Sequence, residues 1–269
     1  MRFNSRLPDE DVNVSRQHPA VEAIKLTVGI AGLLAIIILF TFALIEVAMR
    51  FVSPQTESSL FSEWNFAELL PIDFEANEIQ GLQGLTNRLS RYWPDTPYTF
   101  TIGVLNDPRP NALALPGGTI AVTSGLLDQL DTENALAFVI AHEIGHFRNR
   151  DHLRMLGRGV ALGLLLMTVS GNDAGLVSSG VIDLTSRSFS RQQETAADTW
   201  ALEIVDREYG HVAGALGFFE ELLRSEATSS RLGSYLTTHP ATDNRVEQLE
   251  ELANERGWET DGRTRPLNW

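Results

Sequence analysis

Twenty consecutive residues, "LTVGIAGLLAIIILFTFALI" from Leu26 to Ile45, carry no charge. As a helix they span roughly 30 Å, the hydrocarbon thickness of a bilayer. A cleaved signal peptide has an apolar core of roughly 7 to 15 residues near the N-terminus. Here the run is longer and 25 residues precede it, so an uncleaved anchor over 26–46 is expected. Arg2, Arg6, Arg16 and Lys25 lie before the run, and only Arg50 follows it until Arg88. The positive-inside bias puts residues 1–25 in the cytoplasm and everything after Phe51 outside, which in a bacterium is the periplasm. The expectation is a single-pass inner-membrane protein that meets the lipid bilayer through one helix.

The rest of the chain reads as one α+β domain. Ser53 to Ser62 is polar, contains Pro54, and places a juxtamembrane linker over 47–70. Ile79, Leu82, Leu85 and Leu89 form a helical stripe within Glu75–Arg91, and Tyr98–Leu105 alternates like a strand before the loop "NDPRPN". A second short strand, Thr119–Thr123, follows a Gly-Gly turn, and Asp131 or Thr132 can cap the next helix. Strands early and helices later define an α+β class. "GVALGLLLMTVSG", Gly159 to Gly171, is thirteen residues long, too short to cross, and is expected as a buried or surface-grazing helix. Val246–Glu255 predicts an acidic helix ended by Gly257, with 259–269 as a loose tail. Leu216, Phe219 and Leu223 read as core packing.

A formal charge of −14 gives no footprint for a phosphate backbone, so nucleic acid is not an expected partner. There is no cysteine, hence no thiolate ligand or nucleophile. A metal would be held by nitrogen and oxygen alone.

Such donors occur in "LAFVIAHEIGHFRNRDH". On a helix, His142 and His146 are one turn apart on one face and can reach a single ion. Glu143 is rotated off that line, towards a water beside the metal. Zinc proteases need this geometry, in which the ion acidifies the water and the carboxylate takes its proton. The flanking "LAFVIA" is nearly all apolar, so uncompensated His and Glu here would be costly. Gly145 inside the helix suggests a close-packed neighbour. The third ligand has two candidates. His152 stands ten residues after His142, as in metzincins, with Asn149 where a glycine usually turns the chain. The rival is Glu194 in "SRQQETAADTWALEI", where Asp198, four residues on, shares its helix face and can orient a ligand histidine.

"VIAHEIGHFRNRDH", "RQQETAADTWALEI", "NALALPGGTIAVTSGLL" and "LTTHPATDNRVEQLEEL" together resemble peptidase family M48. This is a gluzincin family that includes the CAAX prenyl proteases and the heat-shock zinc proteases of bacterial membranes. The resemblance covers roughly Ile72 to Leu252. It implies a mainly helical zincin-like metalloprotease domain over 71–258, with a small sheet and an active-site edge strand. It implies one Zn2+ per chain on His142, His146 and Glu194, with Glu143 as general base and Asp198 behind a ligand. His152 then has a role only near the helix end. Thr119, Ile120 and Ala121 resemble the family's substrate-pairing edge strand, and Asn111 and Ala112 its substrate-backbone contacts. His239 resembles the family histidine that approaches the metal from a late loop, as oxyanion stabiliser or fourth ligand. Arg245 would orient it or share the oxyanion charge.

The function expected is hydrolysis of peptide bonds in unfolded or extended polypeptides, in envelope protein quality control. A single span argues against prenyl-peptide processing. The alternative is a zinc-dependent holdase or assembly factor that cuts little.

Overall fold

The computed structural model describes residues 18–49, 51–61, 70–157, 159, 189–215, 238–239 and 243–267. All but Gly159 of the apolar run 159–171, and the stripe Leu216, Phe219 and Leu223, lie outside them. Contact clustering divides the chain into two units, Met1–Leu44 and Ile45–Trp269.

Helix α1, Pro19–Met49, runs unbroken through the uncharged stretch. It is the one helix among the described residues long and apolar enough to cross a membrane. Its two threonine hydroxyls turn back onto the helix, Thr27 to the Ala23 carbonyl and Thr41 to that of Ile37, both at 2.8 Å. Neither polar group needs water.

In the second unit, the expected linker contains helix α2, Pro54–Phe61. What reads as a breaker is a helix start: the Ser53 hydroxyl accepts the Thr56 N–H at 3.0 Å, and Pro54 takes the first helical position. Glu57 on α2 is fully buried, accepting from the Tyr98 hydroxyl at 2.5 Å and facing His152 Nε2 at 2.6 Å. Burial alone would raise its carboxyl, but His152, Tyr98 and the Gly117 N–H outweigh that and hold it below its ordinary range. Residues 54–61 are therefore part of the folded body.

The sheet comprises β1 (Ile72–Asp73), β2 (Thr101–Leu105), β3 (Ala112–Leu115) and β4 (Thr119–Thr123), in the order β1-β2-β4-β3. β2 and β4 are parallel, and the outer pairs antiparallel. This corrects the expected edge strand. Thr119, Ile120 and Ala121 pair with Thr101, Ile102 and Gly103 on one side and with Leu115, Ala114 and Leu113 on the other. Among the described residues β1 and β3 pair on one side only, and β3 is the one beside β4. All four β3 side chains are buried, so "ALAL" shows no alternation to mark it as a strand. Between β3 and β4 the chain turns at Pro116–Gly118, where φ is +82° at Gly117 and +95° at Gly118. Only glycine adopts such angles freely.

Helix α3, Ile79–Ser90, turns Leu82, Leu85 and Leu89 inward, as its stripe predicts. Short helix α4, Ser124–Leu127, follows β4. Helix α5, Glu133–Asn149, is capped by Thr132 and buried on every face from Asn134 to Phe147. It packs against α3, β3 and helix α6, Arg191–Tyr209. The cap of α6 is a reciprocal pair between Ser190 and Gln193. Helix α7, Asp243–Arg256, runs into Gly257 at φ +69° and packs on α6. The tail is not loose: Arg265 accepts from the Glu133 N–H through its carbonyl and donates its own N–H to Asn134, while Leu267 packs on the core.

Gly145 of α5 is where α6 comes closest. A Cβ there would lie 3.0 Å from Ala197 Cα and 3.3 Å from the Ala197 carbonyl oxygen, both backbone atoms. Gly145→Val must force the helices apart, at a cost of about 1–3 kcal/mol. The expected result is a lower melting temperature for the chelator-treated protein, together with weaker metal binding, checked by thermal denaturation with and without added metal.

Candidate active site

Helix α5 brings His142 and His146 one turn apart, with their Nε2 atoms separated by 3.0 Å. Helix α6 delivers Glu194, whose Oε2 is 3.6 Å from His142 Nε2 and whose Oε1 is 3.5 Å from His146 Nε2. His239 adds a fourth donor, its Nδ1 lying 3.2 Å from His142 Nε2 and 3.1 Å from Glu194 Oε1. One donor atom from each of the four lies within 4.8 Å of the others, and all four residues are buried. A tetrahedral ion with bonds of about 2.0–2.1 Å separates its ligands by about 3.3 Å, so these donor spacings fit such an ion.

The charge distribution points the same way. Glu143, Asp151, Glu194 and Asp198 are buried carboxylates, and Arg245 is the one buried guanidinium among the described residues. Isolated buried ions cost several kcal/mol each unless compensated. A divalent cation at the donor cluster supplies the missing positive charge. Both Glu143 oxygens are buried without a hydrogen-bond partner among the described residues, and His239 Nε2 stands 3.6 Å from Oε1. A carboxylate kept in that state beside a metal site is suited to accept a proton from a molecule that enters.

Each ligand histidine is oriented from behind. His142 Nδ1 meets Asp198 Oδ1 at 2.9 Å, as the four-residue spacing of Glu194 and Asp198 predicts. His146 Nδ1 meets Asp151 Oδ2 at 3.0 Å, a partner that sequence reasoning missed although an acid five residues beyond His146 was there to be considered. Gln193 holds Asp151 in turn, at 2.7 Å. The Phe189 ring, also missed, stacks on His146 with centroids 3.8 Å apart; nothing in the sequence around Ser190 signals it.

Of the two roles expected for Arg245, its contacts match the orienting one. Its guanidinium makes two hydrogen bonds to Asp198, at 2.7 and 2.8 Å, and an ion pair with Glu194 Oε2 at 2.8 Å. It also donates to the His239 carbonyl at 3.3 Å. These bonds make it a positioning residue for both carboxylates and for the His239 loop. Asn111 accepts from the Ala112 N–H and from the Thr238 hydroxyl at 3.0 Å each, joining β3 to that loop. His152 is not among the donors, because the chain turns through a left-handed Arg150 (φ 61°, ψ 30°) and sends its ring to Glu57. Among the described residues the donor cluster contains Glu194 and not His152.

Burial pushes the His142 imidazole below its ordinary range in spite of Glu194 and Asp198. In His146 burial acts the same way but loses to Asp151, Glu194 and Glu143, and the ring is pushed up to about 10. Burial would raise Glu194, but His239 and His142 beside it keep that carboxyl well below the usual range. A single proton between the two imidazoles thus partly offsets the surrounding negative charge before an ion binds.

The sequence profile of Peptidase family M48 matches residues 83–253. The chain is 32% identical over 161 residues to the mitochondrial metalloendopeptidase OMA1 of Saccharomyces cerevisiae, an alignment covering 56% of this chain and 46% of that protein. It is 31% identical over 173 residues to the beta-barrel assembly-enhancing protease of Escherichia coli K12, covering 60% and 35%. With metalloprotease LoiP of the same bacterium it shares 28% identity over 185 residues, covering 65% and 71%. The chain thus matches less than half the length of the first two relatives.

Metal binding must displace the His146 proton, because only the neutral imidazole is a ligand. The raised His146 value means that apparent zinc affinity climbs with pH across the neutral range, by up to about tenfold per unit for one displaced proton. Chelator competition at several pH values measures the slope, and calorimetry in buffers of differing ionisation enthalpy counts the proton.

Proposed function

The chain belongs to peptidase family M48, and from that premise we propose that it is a membrane-anchored zinc metalloendopeptidase. The observation that carries this reading is the buried Glu143 carboxylate, without a hydrogen-bond partner among the described residues, beside the donors of His142, His146 and Glu194. When bound, a zinc ion supplies Lewis-acid chemistry, polarising an oxygen ligand and easing loss of a proton from water. His142, His146 and Glu194 hold it; Asp198 and Asp151 fix the ring orientation of the two histidines. Glu143 takes the proton of the attacking water and passes it to the leaving amine.

His239 stands beside the other three donors and would help to hold the ion or to stabilise the oxyanion. The substrate pairs in extended form with β3, at Ala112–Leu115. The inner strand residues Thr119, Ile120 and Ala121 act indirectly, by holding β3 in place. Asn111 ties that edge to the loop carrying His239. Edge pairing uses main-chain groups, so it selects unfolded or extended polypeptides more than particular side chains. Envelope protein quality control fits such a preference, and it draws on the relative named as a beta-barrel assembly-enhancing protease.

Two experiments test the proposal. The full-length protein in detergent micelles should hydrolyse casein when loaded with zinc. Glu143→Gln should retain zinc while activity falls by about 100-fold or more, in line with loss of a general base, and Glu194→Ala should lose both. Zinc retention with no casein hydrolysis by the wild type would instead favour a holdase. For orientation, the absence of cysteine allows single-site labelling. A cysteine introduced at Asn254 should react with an impermeant maleimide once the outer membrane is opened, and one at Ser5 only after lysis. The reverse pattern would place the catalytic domain in the cytoplasm.

A further inference from the structure

The proposed reaction makes no use of Glu57, a fully buried carboxylate on the helix next to the anchor. One of its oxygens accepts from the Tyr98 hydroxyl at 2.5 Å. The other meets His152 Nε2 at 2.6 Å and, more distantly, the Gly117 N–H at 3.4 Å. Arg150 Nη2 is a further neighbour, 3.9 Å from Oε2. Glu57 therefore touches the residues on either side of Asp151.

That position bears on the metal centre. Asp151 orients His146 through Nδ1 at 3.0 Å, and His152 Nδ1 lies 3.4 Å from the carbonyl oxygen of the same histidine. The turn bearing both begins at Arg150, a non-glycine residue at φ 61°. Such a residue keeps a left-handed conformation only where its surroundings impose it. Arg154 grips this turn from its own chain segment, donating to Asp151 at 3.3 Å and to the Asn149 carbonyl at 2.6 Å, and two further grips come from other helices. Gln193 of α6 holds Asp151 at 2.7 Å, and Glu57 of α2 holds His152. The His152 ring is also wedged against Phe147, with centroids 4.5 Å apart, so holding one end of the ring fixes the other.

We propose that Glu57 is a positioning residue of the metal site. By anchoring His152 and Arg150 it sets the left-handed turn that aims Asp151 at His146, which makes the juxtamembrane helix a working part of the metal centre. The inference rests on the assignment of His146 as a ligand under the proposed function. Tyr98 serves as the internal comparison. Tyr98→Phe removes the hydroxyl that binds the same carboxylate and keeps the ring, which meets His152 edge-on with centroids 6.2 Å apart.

The test measures zinc affinity of the full-length chain in micelles by chelator competition, beside melting of the zinc-free protein. Residues behind a ligand typically change metal affinity 10- to 100-fold, and Glu57 acts one step further out, so Glu57→Ala should weaken zinc binding about 3- to 10-fold. His152→Ala should match it, and the double variant should be no worse than either, because both remove one link. Glu57→Gln keeps an acceptor and should recover most of the affinity. Tyr98→Phe should lower the melting temperature while zinc affinity stays within about twofold of wild type. Glu57→Ala with wild-type zinc affinity would overturn the proposal, as would an equal loss in Tyr98→Phe, which would signify general loosening. If Glu57→Ala does not fold, His152→Ala read against Tyr98→Phe decides by the same criteria. A wild-type chain that binds no zinc would overturn the ligand assignment itself and this inference with it.

Discussion

The approach of α5 to α6 at Gly145 and Ala197 is the constraint on which the rest depends. The donors lie on separate helices, His142 and His146 on one and Glu194 on the other, and their spacing of 3.5–3.6 Å is set by how closely two backbones meet. A hydrogen atom in place of a side chain at Gly145, with an alanine opposite, allows that approach. Close packing then holds it, since α5 is buried on all sides and cannot slide without opening voids.

This packing brings carboxylates together that would otherwise repel. Burying four of them with a single guanidinium opposes folding, and the structure offsets part of the cost through hydrogen bonds of Asp198 to His142, Asp151 to His146 and Arg245 to Asp198, and through the ion pair of Arg245 with Glu194. What remains is an excess of negative potential focused on the donors. The same excess that burdens the bare fold makes the site attractive to a small divalent cation. Stability and metal binding are therefore linked, and the orienting groups serve both.

Much of the site was legible because helical spacing converts directly into geometry. A four-residue interval put His142 and His146 on one face, and another did the same for Glu194 and Asp198. Other parts were not legible, for identifiable reasons. β3 is buried on both faces and lacks alternation, and the edge role that the family resemblance gave to β4 fell on an inner strand. "SPQTESSLFS" looks like a linker by composition, yet one buried glutamate docks it as α2, and composition does not register a single long-range contact. The tail 259–269 was missed similarly, being held by backbone hydrogen bonds that any sequence can make. For Arg245 the orienting and oxyanion roles both stayed open, because its place near the start of α7 does not reveal which of several carboxylates a guanidinium will meet.

By itself the sequence determined what depends on local period and solvation: an uncharged run long enough to cross a bilayer, a helix bearing two histidines and a glutamate, and a donor set without sulfur. Only the tertiary structure decided which distant groups meet. It chose Glu194 over His152 as the third donor, gave Asp151 and Arg245 their orienting roles, and joined the juxtamembrane helix to the metal helix. The reason is physical. Contacts between residues 40 to 130 positions apart follow from how whole helices pack and where charge can be compensated, and no short window of residues contains that information.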